Sequence, residues 1–289
     1  MISIGEGWED LAAALRDSDA GERVYAVGST DSGKTTLCRY LVDTAATKAR
    51  TAYVDCDTGQ SRIGPPTTEG MILCSGPTFL RFVGSTSPGG HFVQTITGAK
   101  RLVEKAEELS ARVIVIDSPG LVSGGVGIEF QLQMIDLLRP TRIVALQRGR
   151  ELERLLTNFS RRPGTVIHRI AVSPAVVARP AAGRRRYREE RFRAYFTDAE
   201  LQNVPFRGLG LQGRVPDMRN LRGIGGQLVS LNDPENFVIA LGIVEDLHPG
   251  RRLEVVAPPF DPAAVASVRF GSISLDLGAV PGSMESFRC

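Results

Sequence analysis

Several absences narrow the class of this chain before any motif is read. No apolar run approaches 18 residues, which excludes a membrane-spanning helix of ordinary length. Met1 to Ala20 carries Glu6, Glu9, Asp10, Asp17 and Asp19, an acidic pattern unlike a secretory leader. The expectation is a soluble, cytoplasmic protein with no membrane partner. The four cysteines, Cys38, Cys56, Cys74 and Cys289, show no CxxC spacing, so neither a zinc site nor a disulfide framework is expected. Lysine is scarce: Lys34, Lys48, Lys100 and Lys105 are four of 35 basic residues, which leaves 31 arginines. Two readings of that bias stay open, the base composition of the genome and selection for bidentate phosphate contacts. A net charge of +3 does not by itself mark a nucleic-acid binder. Position therefore counts for more than number, and seven arginines fall between Arg179 and Arg193.

What is present is organised around Gly28 to Thr36, GSTDSGKTT. The apolar run Val24 to Val27 precedes it and the amphipathic stretch Leu37 to Ala46 follows it, so the order is strand, Gly-rich loop, helix. That is the setting of a Walker A phosphate loop. Gly28 and Gly33 let the backbone curl, so that the N–H groups of Gly28, Ser29, Thr30, Asp31, Ser32, Gly33, Lys34, Thr35 and Thr36 can surround the phosphates of a nucleotide. Lys34 adds a mobile charge and the Thr35 hydroxyl is placed for Mg²⁺.

A length of 289 residues accommodates a full α/β core and a smaller second unit. Residues 1–200 are expected to form the phosphate-loop domain and 201–289 a connecting segment with a small β-rich domain. The fold class is α/β, a parallel sheet flanked by helices. Thr51 to Val54 reads as the second strand and ends in DCDTGQSRIGPP. Asp55 and Asp57 point to the same side of an extended chain, and a turn between them is needed to separate their roles. Asp57, 23 residues after Lys34, is the candidate carboxylate for orienting Mg²⁺ and accepting a proton from an incoming hydroxyl; the plain alternative is that both aspartates only form the turn. Gln60 can donate to a phosphate or a base edge.

Met71 to Leu73 and Phe79 to Val83 read as short strands. His91, in the loop GSTSPGGH, either contacts a substrate phosphate or only hydrogen-bonds locally. Phe92 to Leu109 is an amphipathic helix. Val113 to Ile116 closes on Asp117-Ser118-Pro119-Gly120, the Walker B pattern, which makes Asp117 a candidate Mg²⁺ or water-positioning residue. Leu121 to Gly127 reads as a flexible loop, with Ile128 to Leu138 the next helix and Ile143 to Leu146 the next strand. There Gln147-Arg148-Gly149-Arg150 stands in place of the NKxD motif that guanine-specific switches carry.

Thr165 to Val172 supplies another strand, and residues 183–196, GRRRYREERFRAYF, form a basic helix. Arg184, Arg188 and Arg191 share one face at helical spacing, as suits a lid over transferring phosphates. Residues 201–226 hold six glycines and two prolines with little periodicity. Beyond them Gln227 to Leu231, Asn236 to Val244, Arg252 to Val256, Val265 to Phe270 and Ser272 to Leu277 read as short strands.

Taken in order, these segments resemble the polynucleotide 5′-hydroxyl kinase family, whose members include the kinase subunit of the pre-mRNA cleavage complex, pre-ribosomal RNA processing kinases and archaeal relatives. GSTDSGKTTLCRYL is similar to the family's phosphate loop and VDCDTGQSRIGPP to its DxDxGQ motif. VIDSPGLVSGG is similar to its [DN]TxGW segment and RRRYREERFRAYF to its Arg-rich lid. The resemblance implies transfer of the γ-phosphate of ATP or another NTP, with Mg²⁺, to the 5′-hydroxyl of RNA or DNA. It also implies RNA-processing proteins as partners. Lys34 and Thr35 would bind phosphate and Mg²⁺, Asp57 would act as base or metal-orienting carboxylate, Gln60 would touch the substrate phosphate or the metal shell, and Arg184, Arg188 and Arg191 would form the lid. Leu121 stands where the family has a base-stacking Trp. Either the terminal nucleotide is held less firmly there, since such stacking is worth roughly 1–3 kcal/mol per base, or another group such as Phe92 stacks. Two other readings are an ATP-binding scaffold of an RNA-processing assembly and a regulatory ATPase switch.

Overall fold

The computed structural model describes residues 7–16, 18, 21–218 and 224–276. Seven strands form the first sheet: β1 (Glu22–Gly28), β2 (Thr51–Asp55), β3 (Thr68–Leu73), β4 (Thr78–Phe82), β5 (Val113–Asp117), β6 (Arg142–Gln147) and β7 (Val166–Ala171). Their spatial order is β4-β3-β2-β5-β1-β6-β7. The five strands from β2 to β7 in that order run parallel, whereas β3 and β4 pair antiparallel at one edge. The carboxyl ends of β1, β2, β5 and β6 therefore meet along one rim, where open α/β sheets bind ligands.

Alternation along β1 divides the core. Val24 and Ala26 point to the face covered by α1 (Trp8–Arg16) and α2 (Lys34–Ala45), while Tyr25 and Val27 point to the face covered by α3 (Phe92–Glu108) and α4 (Gly124–Leu138). Because β1, β2 and β5 are buried along their lengths, they read in sequence as continuous apolar runs rather than as alternating patterns. The short α5 (Glu153–Leu156) follows β6. Trp8, on α1, stacks at a tilt on Tyr40, with ring centroids 5.6 Å apart, so α1 caps α2.

After β7, helix α6 (Ala181–Tyr195) leads into a second sheet made of β8 (Glu200–Pro205), β9 (Gly210–Gly213), β10 (Gln227–Asn232), β11 (Val238–His248), β12 (Arg252–Ala257) and β13 (Ser267–Ser274), ordered β8-β12-β11-β10-β13-β9. Phe192 of α6, Phe196 at its C-cap, Phe82 of β4, and Leu228, Leu241 and Ile243 of the second sheet form one shared apolar cluster. The two sheets are thereby joined through α6.

Three readings of the sequence are corrected here. The stretch read as two strands, Val265 to Phe270 and Ser272 to Leu277, is the single strand β13, with Leu277 outside the described residues. Gly271 does not break it. A Cβ there would lie 2.9 Å from the Leu228 carbonyl and 3.2 Å from that of Gly84, and Ser272 N donates to Gly84 O at 2.9 Å. Glycine marks a close approach of the two sheets. In the stretch read as aperiodic, β8 and β9 form because β12 and β13 offer them partners. Helix α4 begins at Gly124 rather than Ile128; tertiary packing overrides the low helix propensity of three glycines in the segment read as a flexible loop.

Candidate active site

The phosphate loop leaves β1 and enters α2 through Gly33, whose φ of 91° is left-handed. Lys34 is buried, and its Nζ donates to the carbonyls of Gly28 and Ser29, each at 2.8 Å. The ammonium is thus held against the carbonyls of its own loop. Thr35 Oγ1 donates to Asp117 Oδ2 at 2.6 Å, and Tyr53 Oη donates to the same oxygen at 3.1 Å. Since β5 neighbours both β1 and β2, Asp117 lies between the loop and the DCDTGQ segment, with Asp55 as its register partner.

A turn separates the two aspartates of that segment. Asp55 is buried; its Oδ1 accepts from Asp57 N at 3.0 Å and its Oδ2 from Arg62 N at 2.6 Å. Asp57 turns outward, and only its Oδ1 is engaged locally, accepting from Gly59 N at 2.9 Å and Gln60 N at 3.0 Å. Burial pushes the Asp55 carboxyl well above the usual carboxylate range, and the neighbouring Asp117 adds to the shift. Burial also raises Asp117, opposed by Lys34 and by the Thr35 hydrogen bond. The Asp55–Asp117 pair is an electrostatic cost of the fold that a cation beside them relieves.

These groups line a cleft of about 450 Å³. It contains Thr30 to Thr36, Asp57, Gln60 and Asp117 from among the sequence candidates, and adds Arg39, Arg62 and the segment Ala175, Val176, Val177 and Arg179. Gly28 and Ser29 form the loop's base, bonded to Lys34. The start of α6 and the segment before it reach the phosphate loop and the cleft: Arg179 N and Arg184 Nη1 donate to Asp31 Oδ2 at 3.0 and 3.3 Å, and Arg179 Nη1 donates to Gln60 Oε1 at 3.2 Å. Farther along α6, Arg191 Nη2 donates to Gly64 O at 2.8 Å. Arg188 is half-buried, with its Nε unpartnered.

Besides Gly28 and Ser29, five candidates lie outside the cleft lining: Arg184, Arg188 and Arg191 of α6, His91 and Leu121. His91 precedes α3 with Nδ1 3.2 Å from Gly89 O. Leu121 packs partly buried against the core, its carbonyl accepting from Gln131 Nε2 at 3.1 Å. Phe92 also packs into that core, beside Phe130.

Sequence reasoning missed Tyr53, because a tyrosine inside a buried strand reads as core. It also missed Gln131, whose Nε2 donates to the carbonyls of Pro119 and Leu121 while its Oε1 accepts from Tyr25 Oη at 2.7 Å. This fully buried amide fixes the loop after Asp117. Arg148 was visible only as part of the motif replacing NKxD; its guanidinium donates to Ser29 Oγ at 3.2 Å and Asp31 O at 3.1 Å.

The residues present fit a nucleotide and its metal. At Gly28 a Cβ would sit 2.7 Å from both the Leu146 carbonyl and Ser32 Oγ, so the loop is a cradle that side chains would fill. Ser32 Oγ is buried without a partner. Thr35, Asp57 and Asp117 offer a set of oxygen donors, the kind that suits Mg²⁺.

A phosphate loop, strand-end carboxylates and a basic helix closing on one cleft define a P-loop nucleotide-binding protein of the phosphotransferase type. Residues 28–198 match the family model described as mRNA cleavage and polyadenylation factor CLP1 P-loop, and the chain belongs to that family. It is 29% identical over 220 residues to a polyribonucleotide 5′-hydroxyl-kinase of Methanocaldococcus jannaschii, an alignment covering 73% of this chain and 60% of that one. It is 25% identical over 313 residues to a polyribonucleotide 5′-hydroxyl-kinase of Pyrococcus abyssi, covering 87% of each chain. Among solved structures, wild-type Clp1p in complex with Pcf11p superposes with a TM-score of 0.73 at 14% identity, over 95% of this chain and 81% of that one. That likeness is one of fold.

Proposed function

We propose that this chain is a polynucleotide 5′-hydroxyl kinase, which moves the γ-phosphate of ATP or another NTP to the 5′-OH end of RNA or DNA. The observation that carries the reading is the outward turn of Asp57 beside the phosphate loop, under a lid whose Arg184 grips Asp31. A carboxylate in that place accepts the proton of an attacking hydroxyl. Switch GTPases position a water instead, and their base-reading motif is replaced here by residues that brace the loop. The names of the archaeal relatives support the same reaction.

In this reading the loop N–H groups and Lys34 hold the β- and γ-phosphates, and Lys34 exchanges its two carbonyl partners for phosphate oxygens. Thr35, Asp117 and Asp57 would hold Mg²⁺, which neutralises phosphate charge when bound. Asp57 Oδ2 takes the hydroxyl proton, and Gln60 and Arg179 orient the acceptor end. Arg184 and Arg188 offset the charge that develops on equatorial oxygens, while Arg191 ties the lid to Gly64. His91 and Leu121 would lie along the exit path of the acceptor strand. RNA-processing proteins are the proposed partners and the cytoplasm the proposed location.

The test is incubation with a 5′-OH oligonucleotide, Mg²⁺ and NTP labelled at the γ-position. Label at the 5′ end is expected, with RNA and DNA acceptors compared side by side. No transfer to either, at any salt or metal condition, would overturn the reading.

A further inference from the structure

The cleft contains a guanidinium that the mechanism above leaves without a task. Arg62 lines it, two residues beyond Gln60, in the loop that carries Asp57. Its backbone N–H donates to Asp55 Oδ2 at 2.6 Å, so its position is tied to the carboxylate that also sets the Asp57 turn. Its side chain lies 5.6 Å from the centroid of the Tyr187 ring. Tyr187 is on the inner face of α6, and its hydroxyl donates to Ser61 O at 2.9 Å. No carboxylate among the described residues pairs with Arg62. Three arginines of the surrounding framework are otherwise engaged: Arg184 with Asp31, Arg179 with Gln60, and Arg191 with Gly64.

An exposed cation kept stacked on an aromatic ring and left without a counter-ion is pre-organised for an anion from outside the protein. Position in the chain selects which anion. Arg39 and Arg179, the other two cleft arginines, also lack a side-chain ion pair among the described residues; Arg179 is already bonded to Gln60, and Arg39 extends from α2, which follows the phosphate loop, on the donor side. Arg62 extends from the loop that carries the hydroxyl-activating carboxylate, on the acceptor side. Within the acceptor itself, the anion nearest the attacking 5′-hydroxyl is the phosphate on the 3′ side of the same nucleotide.

We propose that Arg62, braced by Tyr187, is a specificity residue that binds the first internucleotide phosphate of the acceptor. This rests on the kinase reading of the site. Guanidinium and phosphate match as bidentate partners, and stacking on Tyr187 reduces the side-chain freedom lost on binding. Tyr187 is a positioning residue, acting through Arg62.

The test compares two 5′-OH oligonucleotides that differ only in the first linkage, a phosphodiester in one and an uncharged methylphosphonate in the other. Arg62→Ala is expected to raise the acceptor KM for the phosphodiester roughly 10-fold or more, the size of a hydrogen-bonded charge contact. KM for the NTP and kcat should stay within about twofold, and the methylphosphonate acceptor should be insensitive to the change. Tyr187→Leu should give the same selective pattern with a smaller KM effect. Equal losses on both acceptors, a raised KM for NTP, or a fall in kcat alone would overturn the assignment. Equilibrium binding of the two oligonucleotides to wild-type and Arg62→Ala protein, followed by fluorescence anisotropy, gives the same discrimination without turnover. Selective binding loss without phosphate transfer would refute the kinase reading and leave the Arg62 assignment standing. Transfer with no selective loss would do the reverse.

Discussion

Lys34 and Glu69 show two ways in which a single side chain is set by its surroundings. Lys34 reaches its place only because Gly28 and Ser29 turn their carbonyls inward, so Lys34→Ala removes a charge without disturbing the apolar core. The expected result is a loss of roughly 100-fold or more in phosphate transfer, read by 5′-end labelling, with little change in the midpoint of thermal unfolding. Glu69 has no solvent exposure, and both of its carboxylate oxygens lack a hydrogen-bond partner. Helix α3 presses on it through Gly98, where a Cβ would lie 2.1 Å from Glu69 Oε2. Burial pushes its pKa well above the usual value, against a smaller opposing effect of Arg81. The folded state therefore holds the proton more tightly than the unfolded state. Below the unfolded pKa the group is neutral in both and costs nothing; as pH rises towards the folded pKa, stability falls. Glu69→Gln keeps the shape without the titration. Its unfolding free energy, measured in urea between about pH 5 and pH 8, should exceed that of wild type by a margin that widens with pH.

At the scale of elements, α6 is a lever with two attachments. Its first turn is clamped to the phosphate loop through Asp31, and its last turn is sunk into the second sheet through Phe192 and Phe196. Tyr195 adds a polar anchor, its hydroxyl accepting from Leu241 N at 2.8 Å. Tyr195→Phe leaves that buried N–H unpaired and should cost about 1 kcal/mol of stability, measured by chemical denaturation, with a larger fractional effect on turnover than on NTP binding. The sheets also meet at Gly84 and Gly271. Gly84 has φ of 81° and a Cβ there would lie 2.9 Å from Gly271 Cα, so Gly84→Ala forces both a left-handed alanine and a separation of the two backbones. A loss of roughly 1–2 kcal/mol from the backbone conformation alone is expected, in the same denaturation measurement. The basic face of α6 was legible from Arg184, Arg188 and Arg191, since helical spacing alone puts them together. Where each reaches was not legible, because Asp31 and Gly64 come from distant loops.

For the molecule as a whole, charge is concentrated rather than abundant. A net +3 gives no strong overall field, yet Arg184, Arg188 and Arg191 lie along α6, and Arg179 just before it, beside a cleft that also holds Arg39 and Arg62. Binding of an acceptor strand should therefore depend on salt through a few local phosphate contacts. A slope of about 0.7 per contact in log KM against log salt, amounting to about 1–3 in total, is expected between about 50 and 200 mM salt. A flat response would place the acceptor away from these arginines. Among the described residues no helix is long and apolar enough to cross a membrane.

The sequence by itself determined the phosphate loop, the buried strands that end at Asp55 and Asp117, the basic helix α6 and the α/β class, because each rests on local order: spacing within a helix, apolar runs, glycine next to lysine. Only the tertiary structure decided that Asp55 is buried while Asp57 turns out, since that depends on Arg62 N and Gln60 N closing on separate carboxylates. It also decided that Tyr53 shares Asp117 with Thr35, that Gln131 fixes the loop beyond Asp117, and that β8, β9 and an unbroken β13 exist at all. Those features depend on partners contributed by remote strands and helices, and spacing along the chain carries no record of which remote backbone will supply the missing hydrogen bond.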